Sequence, residues 1–265
     1  MPTIHPTAIV EDGATLGEGV EVGALAFVGR FVSIGSGTTI AHGAHIEGRT
    51  TIGADNRIFP YVVLGTIPQD MKYAGEPTRL LIGDRNTFRE FCQVNIGTEH
   101  GGGVTTIGSD NLLMGHVHVA HDNTIGDRCI IANFVALAGH VTIGSNVVIG
   151  GESAVHQFVK IGDFVMVAGA SALSQDLPPF VLAEGNRAAV LGLNLTGLRR
   201  HLTRESIDAL KPIFKEVFRS NHAPKAAAVR LLNTTLSHEA RLFCEFIAES
   251  KRGVPKIKAA NEEGI

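Results

Sequence analysis

The most regular feature of the chain is a large aliphatic residue at every sixth position. The series is unbroken from Ile4 to Leu64, and after an interruption the same register returns at Ile82, Phe88 and Val94. It then shifts by one residue and continues from Ile107 to Leu173 without a gap. Two such long series do not arise by chance, so the chain contains an internal hexapeptide repeat.

This period predicts a three-sided solenoid. A small or β-branched residue follows four positions after most of the aliphatic ones, and glycine often stands directly after the aliphatic residue, as in Ile34-Gly35. One large and one small inward residue, with glycine where the chain turns a corner, define the hexapeptide repeat. Strands of a β-sandwich alternate with period two, so they do not fit this pattern. We therefore predict an all-β hexapeptide-repeat parallel β-helix with three hexapeptides in each coil.

Two segments interrupt the repeat, at about 66–81 and 98–106. Insertions in a solenoid emerge as loops on one face, which is often the binding face. The repeat ends near Leu177-Pro178-Pro179, so we expect a β-helical domain over 1–190 and an α-helical C-terminal domain over 191–265.

Two helices are predicted in this C-terminal domain. Thr203 can cap one helix, which Pro212 should kink or begin. Ser237 can cap a last helix that ends at Gly253.

Composition narrows the class of protein. The chain is 44% hydrophobic but only 6% aromatic, with no Trp and 31 Gly, which suits a core of many narrow layers. A net charge of −3 argues against a general nucleic-acid-binding protein. The three cysteines are far apart and form no CxxC pair, which favours a reducing, cytoplasmic location. Neither a secretory signal nor an apolar run long enough to span a bilayer is present, so we expect no stable membrane insertion.

Several non-inward positions carry phenylalanine, where a simple solenoid would have polar residues. They are Phe27, Phe31, Phe134, Phe158 and Phe164. Outward aromatic side chains on successive coils form an apolar strip, which marks a partner surface or a ligand groove. We interpret the strip as subunit packing plus an acyl groove; the alternative is that the helical tail folds over it.

Histidines cluster between residues 116 and 156. Because residues three hexapeptides apart stack on neighbouring coils, His121, Gly139 and Gln157 should form one column at a spacing of about 4.8 Å. Asp122, His140 and His156 should flank this column, while His116 and His118 belong to the same cluster in the sequence.

This column is suited to acid–base chemistry. His121 can take a proton from a hydroxyl group, and Asp122 can orient the imidazole and stabilise its cation. The Gly139 N–H is free of a side chain and can approach an oxyanion. No Ser or Cys nucleophile has an evident partner here, so a substrate hydroxyl is expected to attack directly. His121 and His156 are too far apart for one metal ion within one chain, and no metal is predicted. A metal shared between subunits, as in hexapeptide-repeat carbonic anhydrases, stays open.

Several segments resemble the UDP-N-acetylglucosamine O-acyltransferases of lipid A biosynthesis over nearly the whole chain. They are Asp70–Thr78, Gly108–Met114, Val119–Asp122, Leu137–His140, His156–Phe158, Gly185-Asn186 and Gly192–Arg200. The resemblance implies a left-handed β-helix and a homotrimer with sites between subunits. It also implies transfer of a 3-hydroxyacyl group to the 3-position of the sugar. The acyl group comes from the phosphopantetheine of acyl carrier protein, and no cofactor is required.

The same resemblance assigns roles to individual residues. It implies that His121 is the general base, Asp122 its partner and the Gly139 N–H the oxyanion donor. The residues expected to bind the UDP-sugar substrate or its product are Gln69, Asp70, Lys72, His118, His140, His156, Gln157, Asn194 and Arg200. Gly169 lies near the expected end of the acyl groove and leaves room for a long chain.

The chain departs from the family pattern in two places. Thr196 and His201 replace an acid and a second arginine, so contacts to uridine are expected to differ. Asn95-Ile96 replaces a common His-Arg pair, which leaves the acceptor open between a 3-hydroxyl and a 3-amino group.

Two other enzymes remain as alternatives. One is the N-acyltransferase of the same pathway, whose extra N-terminal domain is not expected here because the repeat begins at Ile4. The other is the carbonic-anhydrase-like metalloenzyme.

The charge of the C-terminal segment bears on the acyl donor. Between Asn194 and Arg230 there are eight Lys or Arg against three acids, which suits an acidic carrier protein.

Overall fold

The computed structural model describes residues 1–257, which form a left-handed parallel β-helix followed by a helical segment, and the predicted fold class is confirmed. The β-helix has three flat sides, each of which is a parallel sheet that receives one strand from every coil.

The strands are short, and each sheet takes every third one up to β26, while β27 and β28 both extend sheet A. Sheet A contains β1 (Thr3–Ile4), β4 (Glu21–Val22), β7 (Thr39–Ile40), β10 (Arg57–Ile58), β13 (Thr87–Phe88), β16 (Leu112–Leu113), β19 (Ile130–Ile131), β22 (Val148–Ile149), β25 (Met166–Val167), β27 (Val181–Glu184) and β28 (Ala189–Leu193). Sheet B contains β2 (Ile9–Val10), β5 (Phe27–Val28), β8 (His45–Ile46), β11 (Val63–Thr66), β14 (Gln93–Asn95), β17 (His118–Val119), β20 (Ala136–Leu137), β23 (Ala154–Val155) and β26 (Ala172–Leu173). Sheet C contains β3 (Thr15–Leu16), β6 (Ser33–Ile34), β9 (Arg49–Ile52), β12 (Arg79–Ile82), β15 (Val104–Ile107), β18 (Thr124–Ile125), β21 (Thr142–Ile143) and β24 (Lys160–Ile161).

Strand pairing follows the period found in the sequence. Thr3 pairs with Glu21, and Leu112 pairs with Ile130, so each strand lies beside the strand that comes three hexapeptides later. From the second coil to the last, the aliphatic residue of each hexapeptide is buried in one continuous core. The three turns between the sheets are called corner BC, corner CA and corner AB, after the sheets that they join in chain order.

Glycine has a different role at these corners from the one predicted. The residue with positive φ is usually not glycine: it is Arg128 at corner CA and Phe134 at corner AB, with φ of 55° and 62°. The glycine after the aliphatic residue is instead required by the close approach of successive coils. A Cβ on Gly126 would lie 2.8 Å from the carbonyl carbon of Gly144.

Both interruptions of the repeat open at corner BC. The first connects β11 to β12, and the second connects β14 to β15 through a 3-10 helix, Glu99–Gly101. Each insertion lengthens its coil without disturbing the sheets, since Arg57 still pairs with Thr87 across the first and Thr87 with Leu112 across the second. Two loops therefore project from the same edge of the prism, in consecutive coils.

The C-terminal part contains four helices among the described residues: α1 (Leu195–Leu198), α2 (Arg204–Arg219), α3 (Pro224–Leu232) and α4 (His238–Glu249). Thr203 caps α2 and Ser237 caps α4, as predicted, since their hydroxyl oxygens accept hydrogen bonds from N–H groups of the first turn. α2 continues through Pro212.

Two expectations about this segment were wrong, and the helices α1 and α3 were not predicted. Helical patterning was expected from about Leu191, but β28 runs to Leu193 because it pairs antiparallel with β27. α4 ends before Gly253, because the Ser250 hydroxyl donates a hydrogen bond to the buried Asp176 carboxylate at 2.6 Å and draws the chain back to the β-helix.

Within residues 1–257, the helices are all too short or too polar to cross a membrane.

Candidate active site

Corner BC carries the predicted histidine column directly below the two inserted loops. The N–H of His140 donates to the carbonyl of His121 at 3.0 Å, and β17 pairs with β20 with His118 opposite Ala136. His121, Gly139 and Gln157 therefore occupy the same position on three successive coils, as predicted.

His121 and Asp122 form a closely paired acid and base. Nδ1 of His121 lies 2.7 Å from Oδ2 of Asp122. The His121 side chain is 12% exposed, whereas the Asp122 side chain is fully buried. Asp122 is the left-handed corner residue, with φ of 60°, a conformation that Asp tolerates better than most residues. The imidazole therefore has one nitrogen fixed by a carboxylate, which leaves Nε2 for chemistry.

The second inserted loop closes over this carboxylate. The N–H of Thr98 donates to Oδ1 of Asp122 at 2.8 Å, and the Thr98 hydroxyl donates to Oδ2 at 2.6 Å. The N–H of Asp122 in turn donates to the Thr105 hydroxyl oxygen at 2.8 Å. A Cβ on Gly101 would lie 2.1 Å from the carboxylate, so only glycine fits there. Sequence reasoning missed Thr98 and Thr105, because threonine in a loop carries no distinctive chemical signal.

Gly139 lies against the imidazole of His121. A Cβ at Gly139 would be 2.6 Å from Cε1 and 2.8 Å from Nε2 of that ring. Among the residues that the structure describes, no atom accepts a hydrogen bond from the Gly139 N–H. A bare N–H next to an imidazole is the arrangement that an oxyanion donor would require.

Two further histidines pack around His121. His140 meets the His121 ring edge-on, at 5.0 Å between centroids, and stacks on Phe158 at 4.4 Å. Burial lowers the pKa of His140, although the Asp122 carboxylate opposes this effect. Burial, together with the charge of nearby His121, also lowers the pKa of His118. Both side chains are therefore neutral hydrogen-bonding groups near pH 7.

His156 and Gln157 lie at the lower end of the corner and are exposed. Nδ1 of His156 is 3.2 Å from the carbonyl oxygen of Gln157 and 3.4 Å from Nη2 of Arg252. Arg252 belongs to the segment after α4 and is anchored by hydrogen bonds to the Ser174 carbonyl. Sequence reasoning did not find it, because its position depends on how the tail folds back.

The first inserted loop places Gln69, Asp70 and Lys72 at the same corner. Oδ2 of Asp70 lies 3.2 Å from Nε2 of His100, so a hydrogen bond joins the two loops. The N–H of Lys72 donates to Oδ1 of Asp70 at 2.9 Å. This backbone hydrogen bond and the contact with His100 lower the pKa of Asp70, which is an anion near pH 7. Gln69 and Lys72 are exposed beside it.

Three predicted site residues lie at other corners of the same chain. Asn194 caps α1 and donates a hydrogen bond to the Phe164 carbonyl at 2.9 Å, which places it at corner CA. Arg200 follows α1 and is exposed. Gly169 follows β25 and lies at corner AB. A single chain therefore does not bring these three residues to His121.

The apolar strip is only partly as predicted. Phe31, Phe134 and Phe158 are exposed, but Phe27 stacks on His45, and Phe164 is covered by Phe180 and by His201 of the tail. The tail thus covers one of the five, whereas the alternative interpretation expected it to cover them all.

The main exposed aromatic column lies at corner AB. It contains Tyr61, Phe91, His116 and Phe134, whose successive ring centroids are 5.5, 4.9 and 4.7 Å apart. His116 therefore belongs to this column, and its predicted grouping with His121 was wrong. The two residues are close in sequence, but β17 lies between their corners.

Within residues 1–257, His121, Asp122 and His140 form the group whose donor atoms come close enough to hold a metal ion, within 4.8 Å of one another. Oδ2 of Asp122 already accepts hydrogen bonds of 2.6 and 2.7 Å from Thr98 and His121. A cation would have to displace both, so this donor set fits a hydrogen-bonded acid–base pair better than a metal site.

The chain is similar to proteins of known function over nearly its whole length. Residues 176–255 match the family model described as UDP-N-acetylglucosamine O-acyltransferase, domain 2. The chain is 58% identical over 255 residues to the acyl-[acyl-carrier-protein]–UDP-N-acetylglucosamine O-acyltransferase of Sulfurovum sp. strain NBC37-1, covering 96% of this chain and 98% of the relative. The chain belongs to the UDP-N-acetylglucosamine O-acyltransferase family. It is therefore an acyltransferase.

Other members of the family show the same relationship. The protein of the same description from Sulfurimonas denitrificans is 54% identical over 96% of this chain and 98% of its own length. The solved UDP-N-acetylglucosamine acyltransferase of Campylobacter jejuni superposes with a TM-score of 0.93 at 44% identity, covering 97% of this chain and all of that one. The similarity includes both the β-helix and the helical tail.

Proposed function

We propose that the chain is a cytoplasmic enzyme that transfers a 3-hydroxyacyl group from acyl carrier protein to the 3-position of UDP-N-acetylglucosamine, or of its 3-amino analogue, in the first step of lipid A synthesis. The observation that carries the proposal is the His121–Asp122 pair with the Gly139 N–H beside it, in a chain of this family. The acyl group arrives on the phosphopantetheine of the carrier protein, and no other cofactor takes part.

The geometry supports direct transfer. Nδ1–H of His121 donates to Asp122, so Nε2 is free to take the proton of the acceptor group as that group attacks the thioester carbonyl. The carbonyl oxygen becomes an oxyanion and accepts a hydrogen bond from the Gly139 N–H. When the tetrahedral intermediate collapses, the C–S bond breaks and the thiolate takes the proton from Nε2. The products are the acylated sugar and the free thiol of the carrier.

No cysteine competes as a nucleophile. Burial raises the pKa of the Cys92 thiol to about 12, and it raises the pKa values of the Cys129 and Cys244 thiols to about 11. A thiol needs a lowered pKa to react as the thiolate near pH 7. The chain therefore offers no acyl-enzyme route through cysteine.

The two residues that leave the acceptor atom open, Asn95 and Ile96, lie beside the start of the first inserted loop. Asn95 and Ile96 are buried there, and the Asn95 amide donates to the Thr66 hydroxyl at 2.9 Å and to the Ile67 carbonyl at 3.0 Å. Because Asn95-Ile96 replaces a common His-Arg pair of the family, both a 3-hydroxyl and a 3-amino sugar are tested as acceptors.

A homotrimer would complete the site. His121 lies at corner BC, Asn194 at corner CA and Gly169 at corner AB, so only a neighbouring copy can supply the last two to the first. The exposed aromatic column at corner AB gives such a neighbour an apolar surface to pack on.

The tail supports an acidic protein as the donor. Of its eight basic residues, Arg204, Lys211 and Arg230 pair with acids of α2, whereas Arg199 and Arg200 are exposed and form no ion pair with any residue in 1–257. Such unpaired cations attract a negatively charged carrier and the phosphates that it brings.

The test is an acyl-transfer assay of wild type and His121→Ala with hydroxyacyl carrier proteins of several lengths. We expect transfer to UDP-N-acetylglucosamine or to its 3-amino analogue, and loss of nearly all turnover in the variant. Substantial residual turnover in an intact His121→Ala protein would refute the base. Transfer only to the free 2-amino group of an already acylated sugar would favour the N-acyltransferase alternative. Stoichiometric zinc in active protein would favour the metalloenzyme.

A further inference from the structure

We propose that Thr98 is a positioning residue for the His121–Asp122 pair. It fixes the Asp122 carboxylate towards His121, and it limits the basicity of the His121 imidazole. The role rests on the proposed function, because it concerns the base of that reaction. It makes the second inserted loop part of the acid–base machinery rather than only a cover for substrate.

The first argument is the number of donors on the carboxylate. Oδ1 accepts the Thr98 N–H, and Oδ2 accepts both the Thr98 hydroxyl and His121 Nδ1–H. All three distances lie between 2.6 and 2.8 Å, the range of charge-assisted hydrogen bonds. A buried carboxylate is stable only with such partners, and one residue supplies two of the three.

The second argument is what the Thr98 side chain does not do. Thr98 immediately precedes the 3-10 helix Glu99–Gly101 and has the extended backbone of a cap residue. At such a position a threonine hydroxyl usually accepts a hydrogen bond from an N–H of the first turn. Here it makes no cap bond and points its proton at Asp122 instead.

The third argument is how firmly the residue is held. Thr98 is fully buried, and its carbonyl accepts hydrogen bonds from the N–H groups of Gly101 and Gly103. Gly101 packs on the carboxylate from the other side. The hydroxyl therefore cannot turn to water, and the carboxylate cannot rotate away from His121.

These contacts predict two separable effects of the hydroxyl. Without it, Asp122 keeps the Thr98 N–H but loses one of the two donors on Oδ2, so its orientation becomes looser and kcat falls. With one donor fewer, Oδ2 also becomes a stronger acceptor for His121 Nδ1–H, so the imidazolium form of His121 is better stabilised. The pKa that governs the acid limb of kcat/KM should therefore rise.

The test compares Thr98→Val, which keeps the shape but removes the hydroxyl, with Thr98→Ser, which keeps the hydroxyl. We expect Thr98→Val to lower kcat about tenfold with an unchanged KM and to move the acid limb upward. Thr98→Ser should restore both values to near wild type. The matched control is Thr38→Val, which removes an equally buried, hydrogen-bonded hydroxyl far from corner BC and should leave the kinetics unchanged.

Wild-type kcat and acid limb in Thr98→Val would overturn the proposal. So would an equal loss in both Thr98 variants with no shift of the acid limb, because that pattern means a packing role alone. The titration of His121 is also measured by NMR with ring-15N-histidine, assigned from the signal that His121→Ala lacks. If the wild type transfers no acyl group, the proposed function fails, yet an upward shift of the His121 pKa in Thr98→Val still supports the positioning role, and an unchanged titration refutes it.

Discussion

The imidazole of His121 lies directly on the backbone of Gly139, one coil below it. A methyl group on Gly139 would be 2.6 Å from Cε1 of His121, well inside van der Waals contact. The absence of a side chain at this position therefore allows the His121 imidazole to lie where it does and, at the same time, leaves the adjacent N–H accessible.

Gly139→Ala should displace the His121 ring and lower kcat about a hundredfold, since a shift of roughly 1 Å has effects of this size. Thermal unfolding by circular dichroism should show a folded protein, because the exposed edge of the ring can move. Gly115→Ala is the matched control: it precedes the left-handed residue of corner AB, and its Cβ would meet nothing closer than 3.2 Å. Equal activity of the two variants would contradict the steric account.

Asp122→Asn should lower kcat strongly, although it changes the shape of the side chain very little. Asparagine would present an amide NH2 group to donors that now face carboxylate oxygens, and it could not stabilise the His121 imidazolium. Loss of the corresponding acid in a catalytic triad lowers kcat on the order of 10⁴-fold.

The control for this substitution is Asp127→Asn, at corner CA, whose carboxylate accepts a hydrogen bond from the Ser109 N–H. It should keep most of the activity. Retained turnover in Asp122→Asn would show that His121 acts without its partner.

The histidine column was predictable because it depends only on the period of the repeat, with three hexapeptides in each coil. That both insertions open at corner BC also follows from register, since Thr66 and Asn95 each end a strand of sheet B. The bond between Thr98 and Asp122 could not be predicted, because it depends on the path of an irregular loop. Likewise, the position of Asn194 at corner CA depends on the antiparallel turn between β27 and β28, which ends the repeat.

Two half-buried histidines should make the protein less stable in acid. Burial, reinforced by His121, lowers the pKa of His118, and burial lowers that of His140. Unfolded histidine titrates near about pH 6.5. Below that pH the two histidines bind protons in the unfolded chain but stay neutral in the folded chain. The free energy of unfolding therefore falls as the pH falls.

Urea unfolding at fixed protein concentration between pH 7.5 and about 5 measures this effect. His118→Gln should show a shallower decline than wild type over that window, because one of the two groups is gone. The control, His238→Gln, changes an exposed side chain at the start of α4 and should keep the wild-type slope. A wild-type slope in His118→Gln would mean that other groups govern the acid response.

Sharing of the site between copies predicts complementation between two inactive variants. His121→Ala removes the proposed base at corner BC, and Arg200→Ala removes a cation of the tail that follows corner CA. If each site combines His121 of one chain with Arg200 of the next, mixed trimers contain sites in which both residues are intact. With random mixing at equal amounts, about a quarter of the sites should be intact.

The two variants are therefore unfolded together, refolded as a mixture and assayed for acyl transfer, with each variant refolded alone as the control. We expect roughly a quarter of wild-type turnover in the mixture and very little in either control. If both residues serve the same site within one chain, no mixture restores an intact pair, and turnover stays at the level of the separate variants. The assay thus decides whether His121 and Arg200 serve one site within a chain or only across the interface between copies.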